Sequence, residues 1–182
     1  VEDLMSKKEK EAADKAKRDA PLERGSVKYT ARRMKPEEAV DVSKGAYSSY
    51  GYTYVLEHIY FPDRVREMNK TDELISYVAV TDDTHEVIAH TALEIEEMDR
   101  MVPQVGVAFT KPKFRGQGCI NVIGDLLLKD AIRRKFTGIY ARGITTHPFS
   151  QRALLKMKLM DCAVLLSSGP ERTYKGMAKK TQ

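Results

Sequence analysis

The chain has 182 residues with a net charge of +5, and 42% of its residues are hydrophobic, a size and composition that support one substantial core. It contains no apolar run near the roughly 20 residues that cross a bilayer, and its two cysteines are too few for a disulfide framework or a cysteine-based metal site. These features predict a cytoplasmic globular domain that holds no metal.

Residues 1–24 differ in composition from the rest of the chain. They contain seven basic and seven acidic side chains and few large apolar ones, so they cannot bury much surface. We interpret them as a charged linker or interaction helix that precedes one domain at residues 25–182. The first residue is Val rather than Met, which suggests that the chain is a piece of a longer protein.

The first half of the domain combines strands with short helices. Pro36 followed by two glutamates is typical of a helix start. A hairpin is indicated by two alternating apolar stretches on either side of the turn-forming residues 82–85. Apolar periodicity in this half predicts strands at 26–34, 74–81 and 87–95 and helices at 35–49 and 61–68.

In the second half, a strand leads into a helix through a basic turn. The strand at 102–110 ends before Pro112. A helix from about Gly116 is indicated by apolar residues at helical spacing, namely Ile120, Ile123, Leu127 and Ala131. The remaining predicted elements are a strand at 138–146, a helix from His147 and a last strand at 162–166.

The turn before the central helix has the features of an anion site. The first N–H groups of a helix lack acceptors within it and lie at the positive end of its dipole. Gly116 and Gly118 keep side chains away from those amides, and Arg115 adds a positive charge. The sequence therefore predicts a phosphate or pyrophosphate at this turn.

Two common phosphate-binding motifs do not fit this turn. A nucleotide-binding P-loop ends in Gly-Lys-Ser/Thr, whereas this turn continues from Gly118 with Cys119 and Ile120. A dinucleotide-binding fingerprint needs a third glycine where Asn121 stands, and it needs an acidic residue about twenty positions later, where Gly138 lies.

The turn resembles the Arg/Gln-x-x-Gly-x-Gly/Ala signature of the GNAT superfamily of acetyl-CoA-dependent N-acetyltransferases. Arg115 and Gly118 match this signature, and Ile120 departs from it. A second GNAT block, usually Asn-x-x-Ala/Ser-x-x-x-Tyr, is matched by Ser150 at the small residue, with His147 and Leu154 at the Asn and Tyr positions. The resemblance covers about residues 26–168 and implies an α+β fold with a mixed, mostly antiparallel, splayed sheet of about six strands and four flanking helices.

A narrower resemblance concerns three short stretches at residues 50–54, 147–152 and 174–177. They are similar to the GNAT module that follows a histidine-kinase-like ATPase domain in some bacterial regulatory fusion proteins. This likeness implies a fused or separate regulatory domain as a partner.

The GNAT resemblance implies acetyl-CoA as the cofactor. The main chain of Ala108, Phe109 and Thr110 would pair with the pantetheine amides, and Ser150 and His147 would bond the same arm. The pyrophosphate would lie at the turn formed by Arg115, Gly116, Gln117, Gly118, Cys119 and Ile120. The acceptor is then a primary amine.

The catalytic positions depart from the superfamily pattern. Gln104 stands where a glutamate is common, and Leu154 stands where a tyrosine is common, so neither side chain can transfer a proton. Substitutes for the base are Glu94 and Glu96, expected on one face of the strand at 87–95, and also His90. Substitutes for the acid are Tyr52 and its neighbours Tyr50 and Tyr54. Activity could therefore be reduced.

Three alternatives remain open at this point. The domain could be a regulatory module that binds CoA without catalysis. Residues 109–158 carry eleven basic and two acidic side chains, which could bind nucleic acid. Cys119 could be a reactive thiol with a lowered pKa and His147 as its partner.

If the chain is an acetyltransferase, the acidic residues Glu94, Glu96, Glu97 and Asp99 favour a cationic amine as the acceptor.

Overall fold

The computed structural model describes residues 20–144, 148–166, 172–173 and 180–181. Its strands are β1 Tyr29–Arg33, β2 Leu74–Thr81, β3 Val87–Glu94, β4 Gln104–Thr110, β5 Tyr140–Ala141, β6 Arg172–Thr173 and β7 Lys180–Thr181. Its α-helices are α1 Ala39–Tyr50, α2 Pro62–Lys70, α3 Cys119–Arg133 and α4 Pro148–Lys156. Short 3-10 turns occur at Pro36–Glu38, Glu57–Tyr60, Glu97–Asp99 and Pro112–Phe114.

Five strands form one mixed sheet in the order β1-β2-β3-β4-β5. The first four strands are antiparallel, and β5 is parallel to β4. β2 and β3 are buried almost from end to end because helices cover both faces of the sheet, which explains their nearly continuous apolar sequences. The expected α+β class, with a mostly antiparallel mixed sheet and four helices among the described residues, is confirmed.

Separate hydrophobic cores lie on the two faces of the sheet. α1 and α2 cover one face, where Val42 and Val65 pack against the β-strands. α3 covers the other face through Ile123 and Leu127. α1 also lies very close to β4. A Cβ atom on Gly45 would come within 2.5 Å of a ring carbon of Phe109. Glycine is required at this crossing, which brings the end of α1 to the main chain of β4.

The sheet opens between β4 and β5. These strands pair only at Gln104 with Tyr140 and at Val105 with Ala141, so residues 106–110 have no strand partner on that side within the described chain. β4 also contains a bulge: His90 of β3 is opposite Phe109, whereas Ala92 is opposite Gly106. A bulge bends a strand and increases its local twist, which is consistent with the separation of β4 from β5.

The predicted last strand at 162–166 is wrong. Residues 161–165 have no regular secondary structure, and the apolar side chains at 164–166 are exposed, Leu166 by 86%. Apolar composition produced this prediction, but a strand also needs a neighbouring edge with which to pair. The main sheet therefore has five strands rather than six, and β6 and β7 form a separate two-stranded sheet.

Other boundaries differ less from the predictions. β5 spans two residues rather than the predicted 138–146, and residues 145–147 lie outside the described chain. The proposed linker also lies mostly outside it, so the boundary at residue 25 stays a prediction. Within the described ranges, none of the helices has the length and apolarity that a bilayer crossing requires.

Candidate functional site

The glycine turn, residues 115–120, connects β4 to α3. Gly116 and Gly118 have φ angles of 84° and 82°, in the left-handed region that residues with a side chain rarely adopt. A Cβ atom on either glycine would find no atom within 4 Å. The outer surface of the turn is therefore open.

The first turn of α3 provides main-chain donors at this surface. Asn121 and Val122 donate their N–H groups to the Gly118 carbonyl oxygen, at 3.0 and 3.3 Å. The N–H groups of Cys119 and Ile120 precede them and have no acceptor inside the helix. The first turn contains no acidic residue, and Arg115 is exposed beside it. Helix geometry and charge together favour an anion here.

The side chain of Gln117 has a second function that the sequence did not reveal. Its Nε2 donates to the carbonyl oxygens of Leu22 and Glu23, at 3.2 and 2.8 Å, and its Oε1 accepts from the Gly25 amide at 2.9 Å. Leu22 also donates its N–H to the Lys113 carbonyl oxygen at 2.9 Å. Residues 22–25, here called the strap, are thus fastened across the glycine turn.

Cys119 is not a reactive thiol. It is buried, and burial raises the pKa of the thiol to about 11 although a hydrogen bond with Tyr29 acts in the opposite direction. The expectation of a lowered pKa is therefore wrong, because the side chain points into the core rather than toward Arg115 and solvent. Its suggested partner, His147, lies outside the described residues.

Residues 108–110 of β4 differ in what they offer a ligand. Phe109 lies opposite His90 in the β3–β4 ladder and is buried. The Lys111 amide donates to the Ile88 carbonyl oxygen at 2.9 Å. Because bonded and non-bonded pairs alternate along an antiparallel ladder, Phe109 and His90 also form a bonded pair. Thr110, between these pairs, therefore directs its main-chain groups away from β3. Ala108 and Thr110 therefore expose main-chain groups on the open side of β4.

Two side chains from the end of α1 reach these exposed carbonyls. The Tyr50 hydroxyl donates to the Ala108 carbonyl oxygen at 2.5 Å. The Ser49 hydroxyl donates to the Thr110 carbonyl oxygen at 3.3 Å. A carbonyl oxygen has two lone pairs, so each can accept a further donor from a ligand lying along β4.

The second predicted block places a polar group and an apolar one beside α3. Ser150, in α4, has a buried hydroxyl oxygen without a hydrogen-bond partner among the described residues. Leu154 packs near Gly143, where an added Cβ would lie 3.4 Å from Leu154 Cδ1. Gln151 donates to the Ile144 carbonyl oxygen at 3.0 Å and holds α4 against the chain that leaves β5.

The two predicted carboxylates have different environments. Glu94 ends β3, and its side chain is only 15% exposed. Burial raises the pKa of Glu94, as does the nearby Glu96, while Arg142 acts in the opposite direction. Glu96 follows the strand and is exposed, so the expectation that both lie on one strand face is wrong. Of these two carboxylates, Glu94 is the one whose surroundings raise its pKa, as those of a catalytic base often do.

Gln104 lies directly across the ladder from Glu94. The carboxylate expected on β4 is thus replaced by one on the neighbouring strand at the same level of the sheet. Next to them on β4, Gly106 leaves open space, since a Cβ there would meet only Gln104 Nε2 at 3.3 Å. Glu94, Gln104 and Gly106 thus lie side by side on the α1 side of the sheet.

The tyrosines at the end of α1 and in the loop that follows it divide into two groups. Tyr52 is 79% exposed and packs beside Tyr47 and Tyr60, with ring centroids 4.8 and 5.4 Å apart; all three line a shallow depression of about 310 Å³ on α1. Tyr54 stacks on Tyr50 at 4.9 Å. Burial raises the pKa of Tyr54, although the nearby amides of Val107 and Ala108 act in the opposite direction. Tyr50 and Tyr54, rather than Tyr52, therefore reach β4.

Two histidines join Glu94 on this side of the sheet. His58 Nε2 lies 3.9 Å from Glu94 Oε1, and burial, with help from Arg64, lowers the pKa of His58. His90 is fully buried, and burial lowers its pKa to about 4 against the effect of its hydrogen bond to Val107. The Nε2 atoms of both rings have no hydrogen-bond partner among the described residues. His58 was missed because it lies in a 3-10 turn, where no periodicity indicates which way a side chain points.

Comparison with known proteins gives a likeness in structure only. No protein-family profile and no curated sequence matches the chain. Glucosamine-6-phosphate N-acetyltransferase from Arabidopsis thaliana superposes with a TM-score of 0.62 at 11% identity, over 78% of this chain and 98% of that one. Aminoglycoside N-acetyltransferase AAC(6')-Iy in complex with CoA superposes with a TM-score of 0.62 at 14% identity, over 82% and 99%.

A third similar structure is a predicted acetyltransferase with acetyl-CoA from Clostridium acetobutylicum. It has a TM-score of 0.57 at 15% identity and covers 78% of this chain and 96% of that one. These neighbours are GNAT-family acetyltransferases, so the chain has the fold that the sequence motifs implied. The resemblance to a module of histidine-kinase-like fusion proteins is not tested by these neighbours.

Proposed function

We propose that this chain transfers an acetyl group from acetyl-CoA to a primary amine. The proposal depends above all on one observation: only Lys111 and the 3-10 turn Pro112–Phe114 separate the open glycine turn from the part of β4 that β5 leaves unpaired. An anion site and an exposed strand edge are thus contiguous, which suits a molecule with a pyrophosphate at one end and an amide-bearing arm. The likeness in fold to N-acetyltransferases supports the same function.

In this proposal the pyrophosphate of CoA binds to the amides of residues 116–120, and Arg115 adds its charge. The pantetheine amides pair with Ala108 and Thr110 as an added strand would. Phe109 contributes through the core beneath them rather than through its main chain. Ser150, whose buried hydroxyl has no partner in the described chain, bonds the arm from α4, and His147 remains a predicted donor near it.

The chemistry needs an unprotonated amine, a polarised thioester carbonyl and a proton for the leaving thiolate. The amine nitrogen bonds to the acyl carbon, the carbon–sulfur bond breaks, and the amine loses a proton while the sulfur gains one. Glu94 is the proposed base because it is a half-buried carboxylate opposite Gln104 in the sheet, and its raised pKa makes it a stronger proton acceptor than an exposed glutamate. With His58 Nε2 3.9 Å from its Oε1, an amine between them would meet two acceptors.

The carbonyl and the thiolate are served by β4 and Tyr54. The amides of Val107 and Ala108 lie near the Tyr54 hydroxyl, and an acyl oxygen bound beside that hydroxyl would be polarised by both donors. Tyr54 stays protonated at neutral pH because burial raises its pKa, so it can donate a proton to the sulfur. Tyr54 therefore replaces the more exposed Tyr52 as the proposed acid.

The acceptor proposed is a cationic primary amine. Glu96, Glu97 and Asp99 follow Glu94 within five residues, and all three are exposed. Their charges raise the local concentration of a positive amine. The compound itself has to be found by screening.

The test is a thiol-release assay with acetyl-CoA over a panel of primary amines, combined with calorimetry for CoA binding. The variant Arg115→Glu is expected to lose CoA affinity and turnover. Lys129→Glu, the same charge change on the exposed side of α3, serves as the matched control and should retain both. Acetyl-CoA at 100 times its Kd should stabilise the wild-type fold by about 2.7 kcal/mol. If CoA neither binds nor stabilises the chain, the proposal is wrong.

A second candidate function is a regulatory module that binds CoA without catalysis. It is favoured by Gln104 and Leu154, which cannot transfer protons. Tight CoA binding with no thiol release from any amine would support it over the enzyme.

A further inference from the structure

The bulge in β4 is a strained segment that the rest of the fold must hold in place. Val107, at the bulge, has a φ of 51°, which is unfavourable for a β-branched residue. A left-handed conformation of this kind persists only where surrounding contacts impose it. The question is which contacts do so.

Three consecutive carbonyls of the bulge are each held by a side chain. Thr91 donates its hydroxyl to the Gly106 carbonyl oxygen at 3.0 Å. His90 Nδ1 lies 2.6 Å from the Val107 carbonyl oxygen, and the Tyr50 hydroxyl donates to the Ala108 carbonyl oxygen. The middle contact is the most restrained, because the His90 ring is fully buried and stacks on Phe109 with a centroid distance of 5.6 Å.

The hydrogen bond to Val107 defines the state of the His90 ring. A carbonyl oxygen only accepts hydrogen bonds, so Nδ1 must carry the proton. Burial keeps the ring neutral, and Nε2 therefore has a lone pair. That lone pair faces no donor within the described chain. The ring is thus committed to one tautomer by a contact with the strained residue.

This contact also determines where the next amide points. In a trans peptide the carbonyl of Val107 and the N–H of Ala108 point in opposite directions. With the carbonyl held by His90, the Ala108 N–H is directed to the other side of the peptide, where the buried Tyr54 hydroxyl lies near it. This is the donor to which the proposed reaction assigns the acyl oxygen.

We infer that His90 is a positioning residue that clamps the Val107–Ala108 peptide and so aims its amide at the acyl carbonyl. The inference rests on the proposed acetyl transfer for its consequence, but the clamp itself is a property of the fold. His90 takes no part in binding CoA and does not exchange protons with the substrate. Its effect is on the rate of the chemical step.

The test compares His90→Asn with His90→Leu. An Asn amide nitrogen can occupy the place of Nδ1 and donate to Val107, whereas Leu fills similar space without a donor. His90→Leu is expected to lower kcat about a hundredfold, as displacement of a positioned group does, with CoA Kd changed less than threefold. His90→Asn should recover kcat to within about tenfold of the wild type. Equal kcat in the Leu variant and the wild type, or equal loss in both variants, would overturn the inference.

A measurement on the unmodified chain covers the case in which a variant fails to fold. Nitrogen-15 NMR of the His90 ring should show the tautomer with the proton on Nδ1 across the range from pH 6 to 8. A ring that carries its proton on Nε2, or that titrates near pH 6.5, contradicts the clamp. If CoA does not bind and no amine is acetylated but the ring is as expected, the proposed function fails while the clamp stands.

Discussion

Polar clusters on the two faces of the sheet differ in how completely they are paired. On the α3 face, Asp72 and Asp130 bond Arg33, Arg133 and Arg134, and each of their four carboxylate oxygens has an arginine partner. Within that cluster only Arg33 Nη1 is buried without a partner among the described residues. On the α1 face, the Nε2 atoms of His58 and His90 have no partner there, and Glu94 is 3.9 Å from His58.

We interpret the paired cluster as structural and the unpaired one as part of the proposed site. A buried polar group without a partner destabilises a fold by about 1–3 kcal/mol, so such groups persist mainly where a ligand or water completes them. The cluster on the α3 face stabilises the chain, and two of the basic side chains of residues 109–158 are used in it. The cluster on the α1 face keeps two ring nitrogens without a partner in the described chain, which the proposed amine site would use as acceptors.

The largest effect is expected from Glu94→Gln. Loss of the proposed base should lower kcat by about a hundredfold to ten-thousandfold, while the fold is retained. Because its folded pKa is raised, Glu94 makes the fold less stable as pH rises through that pKa, and the Gln variant should lack this dependence. Thiol release and urea unfolding between pH 5 and 8 measure both. The control is Glu96→Gln, an exposed carboxylate nearby, and an equal loss of kcat there would contradict the assignment.

The next effect is expected from Asp130→Asn on the other face. Asp130 is 5% exposed, and loss of its charge should lower the free energy of unfolding by roughly 2–3 kcal/mol. Burial acts to raise the pKa of Asp130, but hydrogen bonds from Arg133, Tyr77 and Arg134 outweigh it, so the pKa is lowered. Its contribution is therefore complete above the unfolded pKa and is lost as pH falls through the folded one.

Urea unfolding at pH 7 and pH 3 measures the effect of Asp130→Asn, and turnover should change little. Asp125→Asn, on the exposed side of the same helix, is the matched control and should be nearly neutral. If Asp130→Asn were as stable as the control, the cluster on the α3 face would not be the stabilising one.

His58→Leu is expected to change the free energy of unfolding less than Asp130→Asn does, and in the opposite direction. Removal of a buried acceptor without a partner should leave the free energy of unfolding unchanged or raise it by about 1 kcal/mol. Turnover should fall, because one of the two acceptors proposed for the amine is lost. Thermal unfolding and kcat are measured on the same samples. A strong loss of stability would show that His58 belongs to the structural class of cluster.

The smallest effect is expected from Gln117→Ala. Its hydrogen bonds to the strap are exposed, so the stability loss should be about 0.5–1.5 kcal/mol. CoA affinity should fall a few-fold because the glycine turn loses a restraint. Hydrogen exchange of the Gly25 amide reports on the strap directly. Unchanged exchange would show that Gln117 does not hold it.

The sequence predicted the elements and the turn because their signals are local. The helix and strand periods, Pro112 and the glycines at 116 and 118 are each readable within a few residues, and the main sheet followed from them. The alternation of β3 also places His90 and Glu94 on one face, four residues apart. Only the end of this strand was misjudged, which put Glu96 on that face as well.

The rest depended on contacts between distant segments. The strand at 162–166 was predicted from composition, but no sheet edge receives it in the described structure. Cys119 was expected to face the anion site, and the packing of α3 turned it into the core instead. His58, Tyr54 and the strap reach the site from loops, where the chain path is decided by tertiary packing.

The hydrogen bonds of Gln117 give the strap a mechanical meaning. The strap lies at the rim of the glycine turn, held there by the Gln117 amide and by the bond from Leu22 to Lys113. A force on the strap, or a protein that binds it, would break the hydrogen bonds between Gln117 and the three backbone groups of the strap. Such a change would thus reach the glycine turn without passing through either hydrophobic core.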